Sequence, residues 1–93
     1  MLSELQLIDV RENWERCAGA INPSTHLPFA ALQSGNDSHA ALNLIDPTKP
    51  TVVYCSVGVR SRTALEILRA RHGFTQVRSL RGGYQAWSEM FPE

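Results

Sequence analysis

Two short stretches that read as strands, residues 51–55 ("TVVYC") and 76–80 ("QVRSL"), are separated by a stretch with helical spacing. About 20 residues lie between them, which suits a crossover rather than a hairpin, so the second strand returns parallel to the first. Such a crossover is right-handed. A third run, "LQLIDV" at residues 5–10, reads as another buried strand. The β-branched run "TVVYC" reads as a strand buried on both faces, as expected where helices cover both sides of a parallel sheet. This order limits the chain to the α/β class, with a ligand crevice at the carboxyl ends of the strands. Asp9, Val10 and Arg11 end one strand, Cys55 another, and Leu80, Arg81 and Gly82 a third, so all three ends converge on one pocket.

The helix after Cys55 is the best-defined element. Ala64, Leu65, Ile67 and Leu68 share one side, while Arg62, Thr63, Glu66, Arg69 and Arg71 lie mainly on the other. The spacing predicts a helix over 61–72. Gly73 fits the left-handed stop position, with Phe74 folding back on Leu68. Gly82-Gly83 then opens a last helix, whose stripe of Tyr84, Trp87 and Phe91 reads as core packing. Earlier in the chain, Asn13 is a candidate cap for a short helix over 14–17. Residues 19–29, with Gly19, Pro23 and Pro28, read as a loop holding at most a two- or three-residue strand. Asp37 or Ser38 is a candidate cap for a helix over 39–44, ended by Pro47 and Pro50.

With 93 residues and no repeat, linker or low-complexity tract, the chain reads as a single domain, 1–93. Nine basic and nine acidic residues cancel. Nucleic acid and anionic membranes draw a basic excess, so neither is expected as a partner. No apolar run approaches the roughly 20 residues of a membrane span. The opening residues lack a basic n-region and a long apolar segment, so a cytoplasmic location is expected. Two cysteines, Cys17 and Cys55, are too few for a disulfide scaffold. They are expected to be thiols, with Cys17 a packing residue or, alternatively, a resolving thiol.

The chemistry centres on Cys55. A loop of small residues, "CSVGVR", with Gly58 at its middle, can curl tightly ahead of a helix. The curl points backbone N–H groups inward, where they join the positive end of the helix dipole as an anion cradle. Such a site lowers a thiol pKa and yields a thiolate. It also holds an oxyanion or the terminal sulfur of a persulfide, and Arg60 and Arg62 add positive charge nearby. The competing reading is a small buried hydrophobe, the usual fate of a free cysteine. The loop, the Arg-Ser pair and the helix start together favour a nucleophile.

A histidine-assisted cysteine hydrolase fits poorly. His72 falls at the far end of the helix, roughly 15–18 Å away at 1.5 Å per residue. His39 lies in the middle segment, and only His26 could reach the pocket from its loop. No Cys or His pair has metal-ligand spacing, no phosphate-binding glycine-lysine run occurs, and no cofactor is called for. A thiolate served by amides, without a proton-transferring base, suits sulfane-sulfur transfer.

The motifs "LIDVRENWE" with Gly19, "VVYCSVGVRS", "ALEILRARHGF" and "VRSLRGGYQAW" cover most of the chain. Together they resemble the single-domain rhodaneses, the thiosulfate sulfurtransferases. The resemblance implies a rhodanese-like three-layer α/β fold, a parallel sheet of four or five strands flanked by helices. It implies that Cys55 carries a persulfide and that Ser56, Val57, Gly58, Val59, Arg60 and Ser61 form the substrate cradle. It places Asp9 and Arg11 near the loop in supporting roles, a surface ion pair being the alternative for them. Arg81 either lines the pocket or faces solvent. The implied partners are thiosulfate or another sulfane-sulfur donor and a thiol, cyanide or protein-thiol acceptor.

Two departures stand out. Only about six residues precede "LIDVR", where the family has a strand and a helix, so a four-stranded sheet is expected, with an edge exposed or capped by residues 1–4. The family's G-H-I-x-G-A step reads "GAINPS", with Ala20 in place of His and Pro23-Ser24 in place of Gly-Ala. Besides a sulfurtransferase, two other functions fit the residues: a sulfur-relay or protein-binding module without turnover, and a cysteine phosphatase or arsenate reductase. The last is disfavoured because only Ser56, Val57, Gly58 and Val59 separate Cys55 from Arg60. A C-x₅-R phosphatase loop is one residue longer, and no Asp follows at short spacing as a general acid.

Overall fold

A computed structural model describes residues 5–35 and 39–90. Strand β1 (Gln6–Asp9) is followed by helix α1 (Asn13–Cys17), strand β2 (Thr25–His26) and helix α2 (Phe29–Gln33). A 3₁₀ turn (Ala40–Asn43) leads to strand β3 (Thr51–Tyr54), then helix α3 (Val59–His72), strand β4 (Val77–Ser79) and helix α4 (Gly83–Met90). The four strands form one sheet in the order β2-β1-β3-β4, all parallel. The expected architecture holds, at the lower of the two strand counts.

The central pair β1 and β3 aligns Gln6 with Thr51 and Asp9 with Tyr54. This register brings the ends of both strands level. Ile8, Val10, Val53, Leu68 and Val77 are buried in one cluster, with Leu27, Leu32 and Ile45 closing it. Each such side chain contributes about 1.5–3 kcal/mol on burial, so the β1–β3 pair is the rigid base on which the strand ends sit.

Several local expectations are corrected. Cys55 is the first residue beyond β3 rather than its last. Helix α3 begins at Val59, two residues earlier than its apolar spacing indicates, because Gly58 takes a left-handed turn (φ 103°) and serves as its N-cap. Its stop is as expected: Gly73 has φ 74°, and Phe74 N–H donates to Leu68 O (3.2 Å). In α1, Asn13 is inside the helix and Glu12 is the cap; the Glu12 amide donates to Glu15 Oε1 (2.8 Å). Helix α2 lies in residues with no strong helical signal and starts after Pro28, whose fixed φ suits a helix entry. The segment expected as a helix over 39–44 is a single 3₁₀ turn, capped by His39 Nδ1 accepting from Ala41 N–H (3.1 Å). The candidate caps Asp37 and Ser38, the edge-capping segment 1–4 and Phe91 lie outside the described residues.

Candidate active site

Cys55 is 1% exposed. Its Sγ accepts hydrogen bonds from the amides of Gly58 (3.1 Å) and Ser61 (3.3 Å), and it lies 3.5 Å from Ser61 Oγ. Burial alone would push the thiol pKa up. The Ser61 hydroxyl and the amides of Ser61, Gly58 and Val57 outweigh it, and the pKa falls below the ordinary thiol value. Ser61 is itself fully buried and fixed by Ser79 Oγ (2.6 Å), at the end of β4. Of the six residues expected to form the cradle, Val57, Gly58 and Ser61 bring their amides to the sulfur, and Ser61 adds its hydroxyl.

The loop is held on two sides. Toward β4 and α4, backbone does the holding: Tyr84 N–H donates to Cys55 O (2.7 Å), and Gln85 N–H to Ser56 O (3.0 Å). Gly83 makes this approach possible. It has φ 64°, and a Cβ there would lie 2.5 Å from Cys55 O and 2.6 Å from Ser56 O. Toward α1, side chains do the holding. Glu15 accepts two bonds from the Arg60 guanidinium (2.8 Å each) and one from Ser56 Oγ. The bidentate Arg60 pair, with help from Ser56 and the Glu12 amide, holds the Glu15 pKa down to about 2. Glu15 in turn raises the pKa of Arg60.

Arg60 thus departs from the expected role of a free cation. Its charge is already matched by Glu15, and it braces the loop rather than facing an open pocket. Asp9 and Arg11 are buried at 0% and 3% exposure, so they are no surface ion pair. Arg11 meets Asp9 through Nε (3.0 Å), Nη2 (2.9 Å) and its own amide (2.9 Å). Arg16 Nη1 (3.0 Å) and Tyr54 OH (3.1 Å) also donate to Asp9 Oδ2. Burial works against the Asp9 charge, but these donors prevail and its pKa is lowered. The Arg11 guanidinium lies over the Tyr84 ring (4.4 Å to the centroid) and reaches Gly19 O (2.7 Å). Trp87 packs beyond Tyr84 (5.8 Å between centroids). Asp9 and Arg11 therefore anchor α1, which carries Glu15 to the loop.

The altered "GAINPS" step joins the same network. Ser24 Oγ accepts from Arg16 (3.0 Å), and the Ile21 amide donates to Tyr54 OH (3.1 Å). His26 does not serve the sulfur: its Nε2 is paired with Arg11 O at 2.7 Å. Cys17 is an exposed free thiol, which corrects the packing expectation. Val57 and Val59 are 55% and 70% exposed. Arg81 is exposed and lines a cleft beside the loop, together with Val57, Gly58, Val59 and Arg62.

Glu15, Arg16, Tyr54 and Ser79 escaped the sequence reading. Tyr54 carried a weak signal, as a large side chain with a polar tip at the end of a buried strand. Glu15 and Ser79 carried none until the fold placed them beside residues 41 and 18 positions away.

A sequence model of the rhodanese-like domain matches residues 1–90. The chain belongs to the rhodanese-like domain family. A Bacillus subtilis relative, the uncharacterized protein YqhL, is 37% identical over 88% of this chain, which spans only 60% of that protein's length. The thiosulfate sulfurtransferase GlpE of Pseudomonas entomophila is 32% identical, covering 92% of this chain and 72% of its own. Among solved structures, the human single-domain sulfurtransferase TSTD1 superposes with a TM-score of 0.78 at 27% identity, over 95% of this chain and 84% of that one. Among the described residues no helix is long and apolar enough to cross a membrane.

Proposed function

We propose that the chain moves sulfane sulfur from thiosulfate or a persulfide donor, through a Cys55 persulfide, to a thiophilic acceptor. One observation carries this reading. A buried sulfur with a lowered pKa sits in a ring of amide donors, and among the described residues no side-chain acid or base is hydrogen-bonded to it. Sulfur transfer asks for that combination. The Cys55 thiolate attacks the outer sulfur of thiosulfate and forms a sulfur–sulfur bond. The bond to the sulfonate sulfur breaks, and sulfite leaves with its electron pair. No proton moves. The terminal sulfur of Cys55-S-S⁻ then occupies the space where the amides of Ser56 to Ser61 offer stabilisation. An acceptor thiolate or cyanide attacks that sulfur and returns Cys55 as thiolate.

Phosphoryl transfer is less well supported. It needs a cation for three equatorial oxygens, and the loop arginine is occupied by Glu15. A reducing compartment such as the cytoplasm suits a site that cycles through a thiolate, and both cysteines are free. The test is intact mass after exposure to thiosulfate, with and without a reductant. The expected result is a gain of one sulfur that is lost on reduction and absent in Cys55→Ser. No mass gain in the wild type, or an equal gain in Cys55→Ser, would overturn the assignment.

A further inference from the structure

The cations around the Cys55 loop fall into two groups. Arg60 is paired with Glu15, and Arg11 and Arg16 share the single carboxylate of Asp9. Arg62 and Arg81 are exposed, and among the described residues neither side chain makes an ion pair or a hydrogen bond. Both line one cleft of about 450 Å³ between the start of α3 and the turn from β4 into α4. Among the described residues no acidic residue lines it. Glu66, one turn along α3 from Arg62, makes no ion pair with it.

The cleft shares a wall with the sulfur cradle. Val57, Gly58 and Val59 form one side of it, and the Gly58 amide is a donor to Cys55 Sγ. Leu80, Arg81 and Gly82 form the opposite side. At its base the two sides are close, since a Cβ on Gly58 would be 3.6 Å from the Gly82 amide. Two uncompensated guanidinium groups in a concave site focus positive potential and suit a planar or tetrahedral oxyanion. The volume is in the range of small-molecule sites rather than of a single bare ion. The exposed Val57 and Val59 add an apolar collar.

We propose that Arg62 and Arg81 form a subsite for the oxyanion end of a small sulfur donor or acceptor, outside the amide ring that holds the reacting sulfur. The ligand class is a small molecule with a sulfonate or carboxylate close to its reactive sulfur. The subsite rests on Cys55 being the sulfur carrier, and it gives the site a selectivity that Arg60, already paired, does not provide.

The test uses the full chain and the double variant Arg62→Gln/Arg81→Gln. In the first arm, Cys55 is loaded by thiosulfate and followed by intact mass. The half-saturating concentration should rise about tenfold, as the loss of about 1.4 kcal/mol of anion binding requires, with the saturating rate within about twofold of wild type. In the second arm, loaded Cys55 is discharged by thioglycolate, an anion, and by 2-mercaptoethanol, its neutral counterpart. The thiolate of either acceptor attacks the terminal sulfur and leaves as a persulfide. The variant should lose its preference for thioglycolate. A change confined to the first arm assigns the subsite to a sulfonate donor, and one confined to the second assigns it to a carboxylate acceptor. No change in either arm overturns it. If the wild type takes up no sulfur, the function itself fails, and the subsite is read separately from alkylation of Cys55 by iodoacetate against iodoacetamide. That rate ratio should fall several-fold in the variant, and an unmoved ratio overturns the subsite as well.

Discussion

The two walls of the Cys55 loop are built by different physics. On the α1 side charged side chains do the holding: Arg11 and Arg16 share the carboxylate of Asp9, and Glu15 holds Arg60 and Ser56. On the α4 side there is no side-chain charge pair among the described residues. Backbone bonds from Tyr84 and Gln85 hold the loop there, through the gap that Gly83 leaves. The first wall is strong where the Asp9–Arg11 pair is buried together, and it is vulnerable there for the same reason. Losing one partner strands the other in a low-dielectric interior. The second wall has fewer ways to fail, since it depends on close approach alone. A loop fixed from both sides is preorganised, so its amides need not move when charge arrives at the sulfur.

The comparison is sharpened first at the sulfur both walls serve. Cys55→Ser should abolish sulfur uptake with the fold retained, while Cys17→Ser should leave it intact; intact mass and circular dichroism read both. The largest stability effect is expected on the charged wall. Asp9→Ala leaves Arg11 buried at 3% exposure without its carboxylate and should cost about 3–5 kcal/mol in urea unfolding. A cost under about 1 kcal/mol would show that the pair contributes little. On the backbone wall, Gly83→Ala meets two carbonyl oxygens and a positive φ. It should cost about 1–3 kcal/mol and slow Cys55 alkylation, because the loop must shift to admit the Cβ.

A smaller effect separates Glu15 from the rest of its wall. Its pKa of about 2 in the fold lies below its ordinary value of 4.5. The sign follows from proton binding: the unfolded chain takes up the proton first as pH falls. The stability Glu15 contributes is therefore present above about pH 4.5 and lost as pH falls toward 2. Asp9, with a lowered pKa, contributes in the same direction. Glu15→Gln should flatten this part of the stability–pH curve and cost about 1–2 kcal/mol at neutral pH. An unchanged curve would mean the Arg60 pair is not formed in solution. The smallest effect is expected from Ser61→Ala, which removes a hydroxyl that helps lower the Cys55 pKa but keeps the Ser61 amide. The pH midpoint of iodoacetamide reaction should move up, and no movement would leave the amides as the whole cause.

What could be read along the chain was local. The Cys55 loop, the apolar side of α3, the Gly73 stop and the Gly82-Gly83 opening of α4 each depend on neighbouring residues, and each is found where the pattern puts it. Parallel pairing followed from connection length alone. Short elements were harder. Helix α2 and the 3₁₀ turn at 40–43 span too few residues for a helical period to register. Tertiary structure alone decided the partners. Glu15 and Arg60 are 45 residues apart, as are Asp9 and Tyr54. An arginine beside a reactive cysteine reads as a cation for an anion until the fold brings a carboxylate to it. The sequence thus determined that Cys55 precedes a tight turn and a helix start, because both are set by adjacent dihedrals. Which cations stay free was settled only by packing, because electrostatic pairing depends on distance through space and on burial, and neither is a property of neighbours in the chain.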